Sequence, residues 1–327
     1  MVLLVVGIVG ILAAWKLVVQ PVANKVSDLR QAYNQELPAY QDRINFLLLG
    51  VAGGDHDGPE LTDTIIFVSI RPSDGDVALL SIPRDIWVSS MRAKINTAFY
   101  YGEKKQPNGG GFTLAKAAVS EVVGVPAQYV AMINFVNFEK VIDALGGIDI
   151  TVDETFDDHK FPIPGKELDE CGGDPEYTCR YEQLHFEAGA QHMDGKTALK
   201  YVRSRQSQGD EGTDFARSKR QEKLLLAVKE KLTSTGVITS PTKLRNLYES
   251  VVEAVTTDVD ASLYPAMAKL AAQLSKNNTV RTATLSAPDQ LYNPPLSATY
   301  DRQWVLLPRP EDPNSIQNFT RDLLQIH

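Results

Sequence analysis

The sequence predicts an α/β (α+β) domain, a mixed central β-sheet flanked by helices, preceded by an N-terminal transmembrane helix. Three observations predict it. From Ile44 onward, short apolar runs of strand length alternate with helical stretches. Two of those runs flank Pro72 to Asp76 (P-S-D-G-D), a turn signal that reads as an antiparallel hairpin. The chain also opens with a nearly unbroken apolar segment. Its 327 residues are 43% hydrophobic and 23% charged, a composition that supports a sizeable globular core.

The apolar segment runs from Met1 to Val19, interrupted by Lys16 and ended by Gln20 and Pro21. A spanning helix needs about 20 apolar residues. A membrane span, a signal peptide and a buried helix all fit that length. The run is apolar on every face rather than along one stripe, and Asn24 to Arg43 after it is polar and helix-forming, so we assign residues 1–20 to a membrane anchor and 21–43 to a stalk or linker helix.

Residues 44–232 are read as the main domain. Asn45 to Gly50 (N-F-L-L-L-G) is a buried strand, and Thr64 to Ile70 and Val77 to Ile82 form the hairpin. A helix from Thr113 to Val123, a strand from Tyr129 to Ile133, and a helix from Val136 to Leu145 ended by Gly146 and Gly147 follow. Ile148 to Val152 resumes as strand. Residues 153–183, rich in Asp, Glu, Gly and Pro, are expected to be an insertion or lid outside the core layers. Thr213 to Leu232 carries the clearest helix signal. Residues 233–327 complete the domain with helices near Pro241 to Val255 and Ala261 to Leu274 and strands near Val280 to Leu285 and Gln303 to Leu307. The apolar residues Phe135, Phe138 and Ile142 have helical spacing and are read as core.

The net charge of -8 argues against a nucleic-acid binder, since affinity for a polyanion needs a basic surface. The two cysteines, Cys171 and Cys179, lie eight apart in a loop-like stretch, which fits a local disulfide in an oxidising exterior better than a zinc site, for which two more ligands at defined spacing are missing. Asn108 to Gly111 (N-G-G-G) lacks the spacing of a phosphate-cradling loop and is read as a flexible connection.

Six cationic side chains fall between residues 203 and 223 of this acidic chain. On the predicted helix, Asp214, Arg217 and Gln221 share one face, with Arg220 about 60° away. Arg203 and Arg205 point the same way only if the chain is extended there. Arginine forks suit phosphate oxygens, and several aimed at one place call for a multivalent anion such as a pyrophosphate. The competing reading is a wet surface on which these arginines pair with Asp210, Glu211 and Glu222. A second set comprises Asp63 at the start of one hairpin strand and Arg84 and Asp85 just past the end of the other, ends that an antiparallel pair brings together. Lys94 adds another cation. A carboxylate beside arginines suits Mg²⁺ that shares phosphate oxygens.

These motifs, L-L-L-G, T-D-T, S-I-P-R-D, K-I-N, G-G-I-D, Y-V-R-S-R and D-x-x-R-x-x-R-Q in that order, resemble the LytR-CpsA-Psr family over roughly Ile44 to Leu232. The resemblance implies an extracellular α/β domain, anchored by a single pass in the cell membrane, that grips a polyprenyl-pyrophosphate-linked glycan. It further implies Asp63 as a metal-linked carboxylate, Arg84, Arg203, Arg205 and Arg217 as a pyrophosphate clamp with Lys94, Arg220 and Gln221 in support, and Asp214 as an orienting or metal-linked acid. One departure stands out. The family usually places another aspartate, often followed by an arginine, soon after L-L-L-G, whereas here the loop is G-V-A-G-G-D-H-D-G, leaving Asp55 or Asp57 as the second metal carboxylate.

The implied reaction is a Mg²⁺-dependent phosphotransfer of a glycopolymer from its polyprenyl-pyrophosphate carrier to peptidoglycan, with Asp85 and Asp214 as candidate proton acceptors. Positioning and electrostatics dominate such transfer, which agrees with the lack of a G-x-S-x-G elbow or a cysteine–histidine pair. A pyrophosphate-lipid hydrolase and a non-catalytic lipid-binding envelope regulator are the alternatives.

Overall fold

The computed structural model describes residues 32–53, 60–166, 168–207, 209–233, 247, 249–251, 253–274 and 280–326. The expected anchor, Asp55, Asp57 and most of the expected helix from Pro241 to Val255 lie outside the described residues. Among the described residues, no helix is long and apolar enough to cross a membrane.

The chain divides into two compact units, one of Met1–Val51, Glu60–Ile133 and Val255–His327, the other of Ala52–Pro59 and Asn134–Ala254. The first begins with β1 (Ile44–Val51), β2 (Thr62–Arg71), β3 (Asp76–Ser81), β4 (Trp87–Val88) and β5 (Ala93–Lys94). Helices α1 (Ala98–Lys105) and α2 (Gly110–Val123) and strand β6 (Tyr129–Asn134) follow. The second unit holds α3 (Phe135–Ala144), β7 (Ile148–Val152), β8 (Phe156–Pro162), β9 (Tyr181–Phe186), β10 (Gly189–Met193), α4 (Gly195–Arg203) and α5 (Asp214–Thr233). The chain then adds to the first unit β11 (Val255–Thr257), α6 (Tyr264–Leu274), β12 (Val280–Thr284), β13 (Leu291–Tyr292), β14 (Leu307–Pro308) and α7 (Ser315–Leu324).

The first unit is organised by a six-stranded mixed sheet in the order β11-β6-β1-β2-β3-β12. β1, β2 and β3 form the expected antiparallel succession, and β12 joins β3 in parallel. Every residue of β1 is buried, as a continuous apolar run predicts for a strand covered on both faces. On one face Leu47, Leu49, Phe67 and Leu80 pack with Ala115, Ala118 and Val119 of α2 and Ile316 and Leu324 of α7. At the far end of the hairpin, Arg43 is 1% exposed and donates from Nε to Ser69 Oγ (2.7 Å) and from Nη2 to Asp76 Oδ2 (2.8 Å). Arg281 of β12 reaches the same carboxylate, donating from Nε to Oδ1 (2.9 Å) and from Nη2 to Oδ2 (2.5 Å). Burial pushes the Asp76 carboxyl up, but the hydrogen bonds from Arg281 and Arg43 outweigh it and hold the group below the usual carboxylate range.

The N-G-G-G stretch is not a simple flexible connection. Gly110 and Gly111 form the first turn of α2, and a Cβ on Gly102 of α1 would stand 2.2 Å from the Gly110 carbonyl oxygen, so glycine is what lets the two helices approach. Glu103 fills the concavity of this turn. Its carboxylate accepts from the backbone N–H groups of Asn108 (2.5 Å), Gly109 (3.3 Å) and Gly111 (3.0 Å), which hold its carboxyl below the usual range.

In the second unit, β7 pairs with β10 and β8 with β9, both antiparallel. Within residues 153–183, expected as an insertion or lid, Phe156–Pro162 forms β8, in a two-stranded sheet apart from the six-stranded one. Phe156 and Phe161 of β8 are buried, and Phe156 stacks on Phe186 while Tyr201 meets Phe186 edge-on, so the acidic composition conceals a strand with an apolar inner edge. Only the part between β8 and β9 is loop, and there Cys171 and Cys179 form a disulfide. Helix α3 is capped by Asn134, whose side chain accepts from the Asn137 amide, and ends at Gly146 and Gly147, both at φ 77°. Ile142 is core as expected, whereas Phe135 and Phe138 are half-buried. Near the chain end, the strand expected over Gln303 to Leu307 shrinks to Leu307–Pro308.

Candidate active site

In the first unit, hairpin register sets the site. Ser81 lies opposite Ile66 and Ile82 donates its amide to the Ile65 carbonyl (2.9 Å), after which Pro83, with no N–H to give, ends the pairing. The chain leaves the sheet beside the start of β2, and Arg84 Nη1 donates to Asp63 Oδ1 in a short contact. The small β4–β5 hairpin, turning at Arg92 (φ 52°), places Lys94 opposite Trp87. Lys94 Nζ donates to Asp85 Oδ1 (2.7 Å), and Arg84 Nε stands 3.6 Å from Asp85 Oδ2. Asp63, Arg84, Asp85 and Lys94 thus form one array of alternating charge, with side chains 21–35% exposed. Such an array is a poor stabiliser, because its partial desolvation cancels much of its Coulomb attraction. Its arrangement does fix both signs of charge at a strand end.

In the second unit, α4 starts at Asp194, whose side chain accepts from the Thr197 amide, and ends at Arg203. This helix was missed in the sequence, and it changes the expected geometry. Arg203 sits on its last turn while Ser204, at φ -54° and ψ 133°, breaks it, so Arg203 and Arg205 flank a bend instead of sharing an extended segment. The Arg203 guanidinium lies 4.1 Å from the Phe135 ring centroid and 5.3 Å from that of Phe161. Cation–π contact of this kind orients a charge without neutralising it. Arg205 is exposed.

Two further residues govern this bend. Asp158, on β8 and 1% exposed, accepts at Oδ2 from Ser204 Oγ (2.7 Å), the Arg205 amide (3.1 Å) and the Gln206 amide (3.2 Å). Arg220, expected to contact ligand, is instead 2% exposed. It donates from Nη2 to the Ser204 carbonyl (2.5 Å) and from Nη1 to the carbonyl (3.0 Å) and Oε2 (2.5 Å) of Glu211, with its guanidinium over the rings of Phe156 and Tyr201. The helix step that put Arg220 off the Arg217 face turns it inward. Of the six cations in this stretch, Lys219 and Lys223 are paired with Asp153 and Arg220 with Glu211, so part of the cluster is a charge-paired surface. Arg217 and Gln221 are half-buried one turn apart on α5, and Asp214 is that helix's first residue.

Asp63 is the described carboxylate at the expected magnesium position, and its side chain is 35% exposed, with Oδ1 held by Arg84 and Oδ2 without a hydrogen bond among the described residues. Magnesium takes one or two carboxylates beside phosphate oxygens, so this donor fits. Asp169, Cys171 and Cys179 also cluster, but the two sulfurs are bonded to each other and are not available as thiolate ligands.

TagU of Bacillus cereus, a polyisoprenyl-teichoic acid–peptidoglycan teichoic acid transferase, is 27% identical over 226 residues, covering 67% of this chain and 60% of that protein. TagV of Bacillus subtilis, of the same description, is 28% identical over 204 residues, covering 61% and 45%. The chain therefore spans about half to three-fifths of these relatives' lengths. The crystal structure of Bacillus subtilis TagV superposes with a TM-score of 0.60 at 22% identity, covering 88% of this chain and 99% of that one, a likeness of fold. The sequence model of the LytR_cpsA_psr family matches residues 17–304, well over half of the chain, and so this protein belongs to the LytR_cpsA_psr family.

Proposed function

We propose that this protein is a phosphotransferase that moves a glycopolymer from a polyprenyl-pyrophosphate carrier to peptidoglycan, acting from a single-pass anchor on the outer side of the cell membrane. The observation that carries the reading is the half-exposed array of Asp63, Arg84, Asp85 and Lys94. A partly desolvated set of alternating charges contributes little stability, and its use is to meet a ligand that is itself anionic and metal-bound. The transferase names of the curated relatives support it.

In this reading a sugar hydroxyl of peptidoglycan attacks the glycan-side phosphorus. The new O–P bond forms as the bridging P–O bond breaks, polyprenyl phosphate leaves, and the hydroxyl proton passes to a carboxylate. Asp85 and Asp214 are the candidates, and Lys94 holds one Asp85 oxygen in place. Arg203, Arg205, Arg217 and Gln221 of the second unit, and Arg84 and Lys94 of the first, are the groups suited to holding phosphate oxygens and stabilising the charge that develops on them. Asp63 would hold magnesium, which supplies neutralisation of pyrophosphate charge when bound. Tethering beside the membrane delivers a lipid-borne donor.

The test is transfer of a labelled glycan from a synthetic polyprenyl-pyrophosphate donor to peptidoglycan oligomers, with and without Mg²⁺, for wild type, Asp63→Ala and Arg203→Ala. Magnesium-dependent transfer that falls about 100-fold or more in both variants is expected. Release of the glycan to water alone would make the protein a hydrolase, and donor binding without turnover would make it a non-catalytic binder.

A further inference from the structure

Asp158 and Arg220 bear opposite charges, both are buried, and both grip the same residue. Asp158 accepts a hydrogen bond from the Ser204 hydroxyl and Arg220 donates one to the Ser204 carbonyl, at 2.7 and 2.5 Å. One oxygen of Asp158 then also receives the amides of Arg205 and Gln206, so three consecutive residues wrap around a single buried oxygen. The other, Oδ1, accepts the Lys160 amide at 3.1 Å.

We propose that Asp158 and Arg220 are positioning residues for the two arginines that flank Ser204, fixing the bend after α4 so that Arg203 and Arg205 meet a phosphate-bearing ligand in one geometry. The inference rests on the phosphotransferase reading and deepens it. It accounts for a feature that stability alone does not. Burying a carboxylate and a guanidinium is costly, and packed apolar residues of similar volume commonly stabilise as well or better. What the charged pair adds is direction. Three donors converging on one carboxylate oxygen fix the bend's backbone, while Arg220 uses Nη1 and Nη2 on Glu211 and Ser204 and lies over Phe156 and Tyr201, an arrangement that leaves the guanidinium engaged with protein rather than turned to a ligand. Arg203 is held in turn by the rings of Phe135 and Phe161, so the segment is constrained on its backbone and on a side chain.

The mildest probe is Ser204→Ala, which removes one hydroxyl at a fully buried site without adding volume. It is examined in a double-mutant cycle with Arg205→Ala, using glycan transfer and the affinity for octaprenyl pyrophosphate as readouts. Positioning acts through both arginines, so Ser204→Ala is expected to lower kcat/KM about tenfold in the wild-type background and about threefold, the part carried by Arg203, once Arg205 is alanine. Equal losses in the two backgrounds would overturn the proposal. Arg220→Lys, which keeps a donor for the Ser204 carbonyl, is expected to retain transfer within about fivefold, whereas Arg220→Met loses about tenfold or more when assayed below its lowered melting temperature, where it is still folded. Equal activity of the two would overturn the role of Arg220.

An activity-independent readout separates this proposal from the one it rests on. Hydrogen exchange at the Arg205 and Gln206 amides is expected to accelerate about tenfold or more in Asp158→Asn, while β1 stays protected. If the wild type transfers nothing and binds no octaprenyl pyrophosphate, the phosphotransferase reading falls. If exchange at these two amides is unchanged, Asp158 does not order the bend and the positioning role falls, whatever the activity.

Discussion

The guanidinium of Arg203 lies 4.1 Å from the centre of the Phe135 ring, joining the last residue of one helix to the first residue of another. A ring beneath a guanidinium restricts its rotamers and leaves its positive charge in place. Replacing Phe135 by Leu keeps much of the apolar volume but removes the quadrupole, worth about 0.5 to 2 kcal/mol. Glycan transfer by Phe135→Leu should fall about three- to thirtyfold, and Phe135→Tyr, which keeps a ring, should stay near wild type. Equal rates for the two variants would mean that the ring merely fills space.

Asp76 is the shared anion of Arg43 and Arg281, and Arg43 has no route to water. In Asp76→Ala a buried guanidinium loses its countercharge, at a cost of about 3 to 5 kcal/mol. The urea midpoint should drop accordingly with an unchanged slope. A shift below about 1 kcal/mol would show that Ser69 alone satisfies Arg43.

The same carboxylate gives an acid-side signature. Its folded pKa is held below the unfolded value of about 3.9, so its contribution is complete above that value and is lost as the pH falls through the lowered folded pKa. Wild-type stability should therefore decline on acidification more steeply than that of Asp76→Asn, in urea titrations between about pH 6 and pH 2. Parallel curves would mean that the group does not titrate in the folded protein.

Gly102→Ala tests the contact between α1 and α2. The added Cβ meets a backbone carbonyl at 2.2 Å, an obstacle that cannot rotate away. Destabilisation of about 3 kcal/mol or more is expected despite the better helix propensity of alanine, read as a lower melting temperature. An unchanged or raised melting temperature would show that the helices separate freely.

These sites differ in how far the sequence discloses them. The contact of Asp63 with Arg84 follows from local signals, because a P-S-D-G-D turn between two apolar runs imposes an antiparallel register that brings the strand start and the following loop together. Asp158 has no such signature. It lies in F-D-D-H-K-F, whose acidic composition resembles a surface loop, and its partners are 46 to 48 positions away. Helix α4 is short, and the apolar spacing of Ala198, Leu199 and Val202 was overshadowed by the charges that follow it. Arg220 illustrates a related limit. Helical spacing puts it about 60° from Arg217, but whether that direction faces solvent or the packed rings of Phe156 and Tyr201 is decided by strands far off in sequence.

The carboxylate of Glu103, seated on the amides of Asn108, Gly109 and Gly111, bears on which anions this chain can recognise. A cradle of backbone N–H groups at a glycine-rich turn is the usual receptacle for a free phosphate. Here its occupant is tethered five to eight residues away, which gives it an effective concentration in the millimolar range or above against any phosphate free in solution. The turn is thereby its own competitive inhibitor, and phosphate selectivity is left to arginine side chains elsewhere in the chain.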